Sequence, residues 1–289
     1  MKKYIIIGIT ITVILLVVYF TSLEEIVKPY EYGGITLDEI KNSNNITLFH
    51  NEKRDLFYWY FYDEDVTILP NGGKEINILN LFPKQELAET YNQIKNTQNT
   101  VVINPIFTAV AYNTDGFYYY YSEKCDESCL TVTVNPLTTS GYTSSHLGLQ
   151  VLYFLQYNII NDLDVHLNPN ILDEYDKVIV LHNEYVTQTM FDAITKHPNV
   201  IYLYPNALYA EVEYDAINNT ITLIRGHGYP TSDIGNGFEW EFENTHPFEY
   251  DTVCNNWEFY EIENGKMLNC YPDMAIKKDF ELLQQIKLN

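Results

Sequence analysis

Two side chains that can do metal or acid–base chemistry, His182 and Glu184, directly follow a short apolar run. The run is Lys177–Leu181, and its β-branched residues predict a fully buried strand. Side chains two positions apart on an extended segment point to the same side. The imidazole and the carboxylate could therefore bind one metal ion, or one could orient the other for proton transfer. A solvated strand end is the other interpretation of this pattern.

A second candidate side chain, Asn206, follows the apolar run Val200–Tyr204. Its amide could contact a ligand, and the alternative is that it caps a turn. Between the two runs, Thr187 can cap a helix that Pro198 ends. Strand, helix and strand within about 30 residues form a βαβ unit with parallel strands. Ligands of open parallel sheets bind beyond the carboxyl ends of the strands, so we expect the site at that edge.

A third candidate, Tyr112, follows the apolar run Val101–Asn104. It lies in Ile106–Gly116, which is predicted to be a loop that leaves the carboxyl end of this strand. A phenolate can bind ferric iron, whereas a tyrosine in a loop more often packs on the surface. We expect the tips that follow Val101–Asn104, Lys177–Leu181 and Val200–Tyr204 to meet in one crevice.

The elements that must position these tips alternate between strand and helix through the middle of the chain. Ser144–Tyr157 has the apolar periodicity of a helix, and Ile159–Ile160 is a minimal strand. This alternation predicts a mainly parallel sheet with helices on both faces. Antiparallel strands are predicted in addition, with Leu56–Tyr62 near the start of the domain. Hairpins are predicted for Phe117–Tyr121 with Leu130–Val134, and for Val212–Tyr214 with Thr220–Ile224.

The first residues predict a membrane anchor. Lys2 and Lys3 precede the uncharged run Tyr4–Phe20, and Glu24 follows it. This length is at the lower limit for a spanning helix, and the positive flank places residues beyond about 22 outside the cytoplasm. A cleaved signal peptide is the alternative, although the residues after the run make a poor cleavage site. We therefore expect an uncleaved signal anchor in the cell membrane.

The charge and the cysteines limit the class of partner and the compartment. The formal net charge of −22 at pH 7 argues against nucleic acid, whose phosphates require Lys and Arg. The four cysteines predict two local disulfides, Cys125–Cys129 and Cys254–Cys270, as expected outside the cytoplasm. A zinc site is the alternative, but these spacings match no common zinc motif.

The remaining sequence motifs narrow the chemistry further. A nucleophile elbow is missing from the sequence, which disfavours serine or cysteine acyl-enzyme chemistry. A P-loop and a dinucleotide-binding glycine fingerprint are also missing. His227 and His246 have no partner at a metal-ligand spacing, so we interpret both as structural.

Four loose motifs occur in order within residues 101–212. They are Thr108–Asn113, Asp162–Leu172, His182–Tyr185 and Asn206–Tyr209. Their order and spacing resemble the large-subunit carboxyl domain of N,N-dimethylformamidase, whose runs read like T-x-x-A-Y-N, D-L-H-x-x-P-x-L-L, G-H-D-E-Y-W and G-N-x-x-Y-W. That domain has a flavodoxin-like fold similar to the class I glutamine amidotransferases.

The resemblance implies a mononuclear non-haem iron that is held by tyrosines and a glutamate and that hydrolyses a small amide. Glu184 and Tyr112 match the metal ligands of this family. His182 matches a proton-transfer group beside them, and Asn206 is expected to orient the substrate. Iron would polarise the amide carbonyl or lower the pKa of bound water.

The sequence departs from the family pattern at three positions. Val186 stands where the family has Trp, Asn183 where it has Asp, and Pro205 where it has Gly. A second ligand tyrosine is expected upstream of Tyr112. The candidates are Tyr58, Tyr60 and Tyr62.

These observations together predict an α/β protein, a three-layer sandwich with a mainly parallel flavodoxin-like sheet and extra antiparallel β structure at both ends. The predicted parts are a signal anchor at 1–22, a tether and the N-terminal part of the α/β domain at 23–100, a glutamine amidotransferase-like core at 101–212 and a β-rich extension at 213–289. The leading function is metal-assisted hydrolysis of a C–N amide bond outside the cytoplasm. The alternative is a non-catalytic surface or interaction domain that keeps the fold without the site.

Overall fold

The computed structural model describes residues 36–49, 55–135, 141–240 and 248–289. The predicted signal anchor, most of the predicted tether and His246 lie outside these residues. Within the described ranges, the helices are all too short or too polar to cross a membrane.

Helices and strands alternate mainly in the middle of the described chain, and runs of consecutive strands come before and after this part. The helices are α1 (Leu37–Asn42), α2 (Ala88–Ile94), α3 (Ile106–Ala111), α4 (Phe117–Tyr121), α5 (His146–Phe154), α6 (Asp162–Leu167), α7 (Gln188–Lys196), α8 (Asp273–Ile276) and α9 (Phe280–Leu288). The strands are β1 (Ile46–Phe49), β2 (Phe57–Tyr62), β3 (Val66–Ile68), β4 (Lys74–Ile76), β5 (Asn80–Pro83), β6 (Thr100–Asn104), β7 (Thr131–Thr133), β8 (Asn158–Asn161), β9 (Lys177–Val180), β10 (Tyr185–Val186), β11 (Val200–Tyr202), β12 (Ala210–Asp215), β13 (Thr220–Arg225), β14 (Phe259–Ile262) and β15 (Gly265–Leu268).

The largest sheet has the strand order β14-β15-β11-β9-β6-β8, and its five strands other than β14 run parallel. Val178 of β9 pairs with Val101 on one side and with Val200 on the other, so the three apolar runs are neighbours. Every residue of β6, β9 and β11 is buried. Burial of each Val or Ile side chain contributes about 1.5–3 kcal/mol, which explains the unbroken apolar runs. The prediction of a largely parallel sheet is therefore confirmed.

The helices form two contact groups. In one group α9 contacts α2 and α8, and α8 contacts α5. In the other group α6 contacts α3 and α7. Helix α7 begins at Thr187, whose side chain accepts a hydrogen bond from the Met190 N–H, as the sequence predicted.

The antiparallel strands form smaller sheets around the central one. Strands β1, β2 and β5 form one sheet, and β3 pairs with β4. The predicted hairpin of β12 and β13 is confirmed, and β7 pairs with β13. The C-terminal strand β15 joins the central sheet beside β11. Gly265 permits this pairing, since a Cβ there would lie 1.8 Å from the Val200 carbonyl oxygen.

Two local predictions were wrong. Ile106–Gly116 begins with helix α3 instead of forming a loop, and Phe117–Tyr121 is helix α4 instead of a hairpin strand. The aromatic run suggested a strand because aromatic residues favour strands, but this preference depends on tertiary context. In the helix, Tyr118 and Tyr121 share one face, with ring centroids 5.8 Å apart.

Both predicted disulfides are confirmed. Cys125 pairs with Cys129, and Cys254 pairs with Cys270. The first disulfide lies in the segment that follows α4. The second joins the segment before β14 to Cys270, which is the second residue after β15.

Candidate functional site

Glu184 lies just beyond the carboxyl end of β9 and is fully buried. Its backbone is held by Thr108 of α3, whose hydroxyl oxygen accepts from the Glu184 N–H at 3.0 Å and from the Tyr185 N–H at 3.3 Å. Ala210 at the start of β12 donates its N–H to the Glu184 carbonyl at 2.9 Å. Two distant segments of the chain, at Thr108 and Ala210, therefore fix the backbone that carries this carboxylate.

The structure brings Tyr112 to Glu184, as the sequence predicted. The Tyr112 hydroxyl donates to Glu184 Oε2 at 2.8 Å. The Tyr118 hydroxyl in turn donates to the Tyr112 oxygen at 2.5 Å, and the two rings stack with centroids 4.1 Å apart. Tyr112 reaches the carboxylate because it follows α3, which starts at the carboxyl end of β6.

His182 approaches the same carboxylate oxygen of Glu184 as Tyr112 does. Its Nδ1 bonds to the Thr143 carbonyl oxygen, so Nδ1 carries the proton and Nε2 has a free lone pair. Nε2 lies 3.8 Å from Glu184 Oε2 and has no hydrogen-bond partner within the described residues. Burial lowers the pKa of His182 to about 4, which favours the neutral imidazole. The Ser145 hydroxyl accepts from the His182 N–H at 2.8 Å and fixes this segment.

His227 is a site residue that the sequence analysis missed. Its Nε2 lies 3.3 Å from Glu184 Oε1 and 3.0 Å from the Tyr118 hydroxyl. Its ring stacks on Tyr121 with centroids 4.7 Å apart. The sequence analysis interpreted His227 as structural because no partner lies near it in the sequence. In the structure the turn that follows β13 brings its ring to Glu184 and Tyr118. The glycines on both sides of His227 were the available signal, since both have positive φ in this turn.

Four side chains form a closed ring of donor atoms, which we call the donor ring. Its members are Tyr112, Glu184, His227 and Tyr118, with successive atom separations of 2.8, 3.3, 3.0 and 2.5 Å. Ligand atoms at right angles around an ion with bonds of about 2.1 Å lie about 3 Å apart. These separations, and the hard oxygen donors, fit a small ion such as iron. The described residues contain no cluster of three His, Cys, Asp or Glu side chains that could hold a metal, so a metal here would need the phenolic oxygens.

The electrostatics of the ring favour neutral groups when no cation is bound. Burial, and to a lesser degree the nearby charge of Glu249, raise the pKa of Glu184, while hydrogen bonds from tyrosines oppose this shift. The resulting pKa is about 8. Burial and the Glu184 charge raise the pKa of Tyr112 well above its usual value. Burial also lowers the pKa of His227. A bound cation would reverse each of these preferences by stabilising the anionic carboxylate and phenolate.

Asn206 lies beyond β11, at the same edge of the sheet. It is 3% exposed and has a left-handed backbone with φ 62°. Two residues later, Leu208 donates its N–H to the Asn183 carbonyl at 2.8 Å, which ties this loop to the segment before Glu184. Asn206 Oδ1 is buried without a hydrogen-bond partner among the residues that the structure describes. The side chain is therefore held near the sheet edge but is not bonded to the donor ring.

The upstream tyrosines make other contacts. Tyr58 donates to Glu86 at 3.1 Å, and the Tyr60 and Tyr62 rings lie 5.9 Å apart on β2. The structure instead provides Tyr118, downstream of Tyr112, as the second tyrosine of the site. An open cavity of about 680 Å³ is lined by Tyr121 and the segment of the first disulfide, and the ring of Tyr121 also stacks on His227.

Comparisons of the sequence with models of known protein families and with curated proteins found no match.

Proposed function

We propose that this chain is a metal-assisted hydrolase of small linear amides, with a site like that of N,N-dimethylformamidase. The observation that supports this most is the donor ring, in which tyrosine, glutamate and histidine atoms from separate segments lie within 3.3 Å of their neighbours. A network that only stabilises the fold would not need to bring these side chains together at the carboxyl edge of a parallel sheet. Ligands of this fold class bind at that edge.

The finer description of the fold is part of the same proposal. The two contact groups of helices support a three-layer sandwich with a flavodoxin-like sheet at its centre. The two disulfides support an extracytoplasmic location, as the predicted signal anchor would give. We therefore propose a membrane-anchored domain that acts outside the cytoplasm.

Tyr112, Tyr118, Glu184 and His227 would hold an iron ion. When bound, iron supplies a Lewis acid that polarises an amide carbonyl or lowers the pKa of bound water. The chain's own residues would move the proton. His182 Nε2 takes a proton from the attacking water while the water oxygen bonds to the carbonyl carbon. The proton then passes to the amide nitrogen as the C–N bond breaks, which releases an acid and an amine.

The environment of His182 suits the second half of this reaction. Its Nε2 has no hydrogen-bond partner within the described residues, so it is free to hold the proton and return it to the leaving nitrogen. The bond from Nδ1 to Thr143 keeps Nε2 turned towards the carboxylate. The unpartnered amide oxygen of Asn206 would accept a hydrogen bond from the attacking water, or from the N–H of an amide substrate that, unlike N,N-dimethylformamide, has one.

The alternative is a surface or interaction domain without catalysis. It is favoured by the full burial of Glu184 and by the way in which the Tyr112 and Tyr118 hydroxyls satisfy each other and the carboxylate. Metal content separates the two functions.

The experiment measures iron stoichiometry and visible absorption of the purified full chain, together with release of dimethylamine from N,N-dimethylformamide. We expect about one iron per chain, a tyrosinate–iron absorption band and amine release. Glu184→Gln should lose the bound iron, the band and the activity, and Tyr112→Phe should lose the activity and weaken the band, since Tyr118 remains as the second phenolic ligand. Tyr58→Phe is the matched control and should keep both, because Tyr58 bonds to Glu86. A colourless chain that stays metal-free after addition of iron would refute the hydrolase and leave the interaction domain.

A further inference from the structure

A pocket lies between the C-terminal hairpin of β14 and β15 and helix α9. Its volume is about 390 Å³, within the usual range for small-molecule sites. The hairpin and the residues just before it contribute two aromatic side chains, Trp257 and Phe259, and helix α9 contributes three polar residues, Glu281, Gln284 and Gln285. None of the lining residues belongs to the donor ring, so a ligand bound here does not depend on the proposed hydrolysis.

The aromatic side of the pocket is fixed to the helix. The Trp257 Nε1–H donates to Asp279 Oδ2 at 2.9 Å, and Asp279 Oδ1 accepts from the Leu282 N–H at 3.0 Å at the start of α9. One carboxylate therefore caps the helix and holds the indole beside it. The Phe259 ring packs against the Trp257 ring in a T-shaped pair with centroids 6.3 Å apart. Because the polar atom of the indole is already bonded, the ring offers apolar surface to a ligand, and little rotamer entropy is lost on binding.

The helix side of the pocket offers accessible hydrogen-bonding groups. Glu281, Gln284 and Gln285 have the spacing i, i+3 and i+4, so they lie on one face of α9. All three residues are at least partly exposed, which lets a ligand reach them. Their side chains make no hydrogen bond or ion pair with other residues that the structure describes. Each amide provides both donors and an acceptor, and the carboxylate provides acceptors.

The charges of the pocket disfavour an anionic ligand. Lys266 is the cation of the lining, and its Nζ lies 3.2 Å from Glu261 Oε1 and 3.0 Å from Asn289 Oδ1. Glu258 and Glu281 line the pocket as well, and both are exposed. The net charge of −22 also repels anions from the protein surface. A phosphate or carboxylate ligand would therefore meet two carboxylates and a lysine that is already paired with an acid.

We propose that this pocket binds a neutral saccharide. A hydroxyl group both donates and accepts, so a row of hydroxyl groups matches the two amides and the carboxylate on the polar face of α9. An ammonium group only donates, and it would leave the amide N–H groups of Gln284 and Gln285 without an acceptor. A sugar ring combines hydroxyl groups with a face of C–H groups, and this face packs against the indole of Trp257.

Isothermal titration calorimetry on the full chain tests the proposal with cellobiose, lactose, maltose and chitobiose as probes. Sorbitol is the control that has hydroxyl groups without a ring, and choline is the control for a cation. We expect at least one of the disaccharides to bind with a Kd of about 1 mM or lower. Sorbitol and choline should bind at least about tenfold more weakly than this disaccharide, because sorbitol lacks the rigid C–H face and choline lacks the row of hydroxyl groups.

Three variants test the location of the bound sugar. Trp257→Ala should reduce the affinity at least about tenfold, because the aromatic surface under the sugar ring is lost. Gln284→Ala should reduce it about three- to tenfold, because one hydrogen bond to the sugar is lost. Gln93→Ala is the matched control and should bind like the wild type, since Gln93 is an exposed glutamine on helix α2 and is not part of the lining.

The outcomes that would overturn the proposal are distinct. They are no detectable binding of the four disaccharides, binding of choline in their place, and binding of sorbitol as tight as that of the sugars. Equal affinities of Gln284→Ala and Gln93→Ala would show that any bound sugar lies elsewhere, which would overturn the proposal as well. If Trp257→Ala fails to fold, the comparison of the two glutamine variants still decides.

Discussion

The burial of Asp273 predicts a specific dependence of stability on pH. Burial raises the pKa of its carboxyl from 3.8 to about 7, although hydrogen bonds from Tyr204 and Gly148 and the charge of Lys277 oppose the shift. Between pH 4 and pH 7 the folded protein keeps this proton, whereas the unfolded chain has released it. The free energy of unfolding must therefore fall as the pH rises through this window.

The magnitude follows from the size of the shift. A displacement of about 3 pKa units at about 1.4 kcal/mol each corresponds to about 4 kcal/mol. Asp273→Asn removes the titration while it keeps an oxygen that can accept from Tyr204. We expect the free energy of unfolding of this variant, relative to the wild type, to rise by about 4 kcal/mol between pH 4 and pH 7.

Urea denaturation of both chains at several pH values measures this difference. Other buried groups also titrate, including His146 and His182 with pKa values of about 4, and Glu184 and Lys277 with values of about 8. His146, His182 and Glu184 are present in both proteins, so their titrations largely cancel when the two curves are subtracted. Lys277 does not cancel, because the charge of Asp273 acts on it, but its titration near pH 8 lies above the window from pH 4 to pH 7. Parallel curves for wild type and variant would show that Asp273 is not held protonated by burial and would refute the reasoning.

Two further substitutions test the packing around Tyr204 and the hydrogen bonds that hold the Glu184 segment. Gly148→Ala should cost about 1–3 kcal/mol by urea denaturation, because its Cβ would lie 2.2 Å from the Tyr204 hydroxyl; Gly141→Ala, whose nearest neighbouring atom would lie 4.0 Å away, is the control and should change stability little. Thr108→Val should cost about 2–4 kcal/mol in the same assay, because two buried N–H groups at Glu184 and the next residue lose their acceptor. Thr108→Ser keeps the hydroxyl and should lose less; equal losses for Val and Ser would show that the hydroxyl does not hold the segment.

Packed aromatic rings connect Asp273 to His182, which lies beside the donor ring. Tyr204 bonds to Asp273 through its hydroxyl, and its ring lies 6.3 Å from the His182 ring. Tyr271 packs against both of these rings, at 5.0 Å from Tyr204 and 5.6 Å from His182. A change at Asp273 therefore has a contiguous route to the imidazole beside Glu184. Gly148 makes this arrangement possible, because any larger residue would occupy the space of the Tyr204 hydroxyl.

Much of the central sheet and part of the donor ring could be predicted from the sequence. The runs at 101–104, 177–181 and 200–204 are mainly apolar, as strands buried on both faces require. Their parallel order follows from the helix between them, and this order places Tyr112 and Glu184 at one edge. The cysteine pairs were predictable for the same kind of reason, since short loops bring their ends together.

Residues that depend on distant segments could not be predicted in this way. Tyr118 belongs to an aromatic run whose preference for strand or helix is decided by its neighbours in space. His227 reaches Glu184 only because β13 pairs with β12 and the following turn folds back over the sheet edge. A pocket that Asp273 lines is formed by segments from the beginning, middle and end of the chain.

The amino-acid sequence by itself determined which segments are buried strands, where they end and which polar residues follow them, because these features depend on local periodicity and on the parallel βαβ connection. Only the tertiary structure decided which tyrosines and which histidine complete the donor ring, and which side chains pack around the buried Asp273. Such contacts depend on side-chain packing between segments that are far apart in sequence, and local patterns contain no information about that packing.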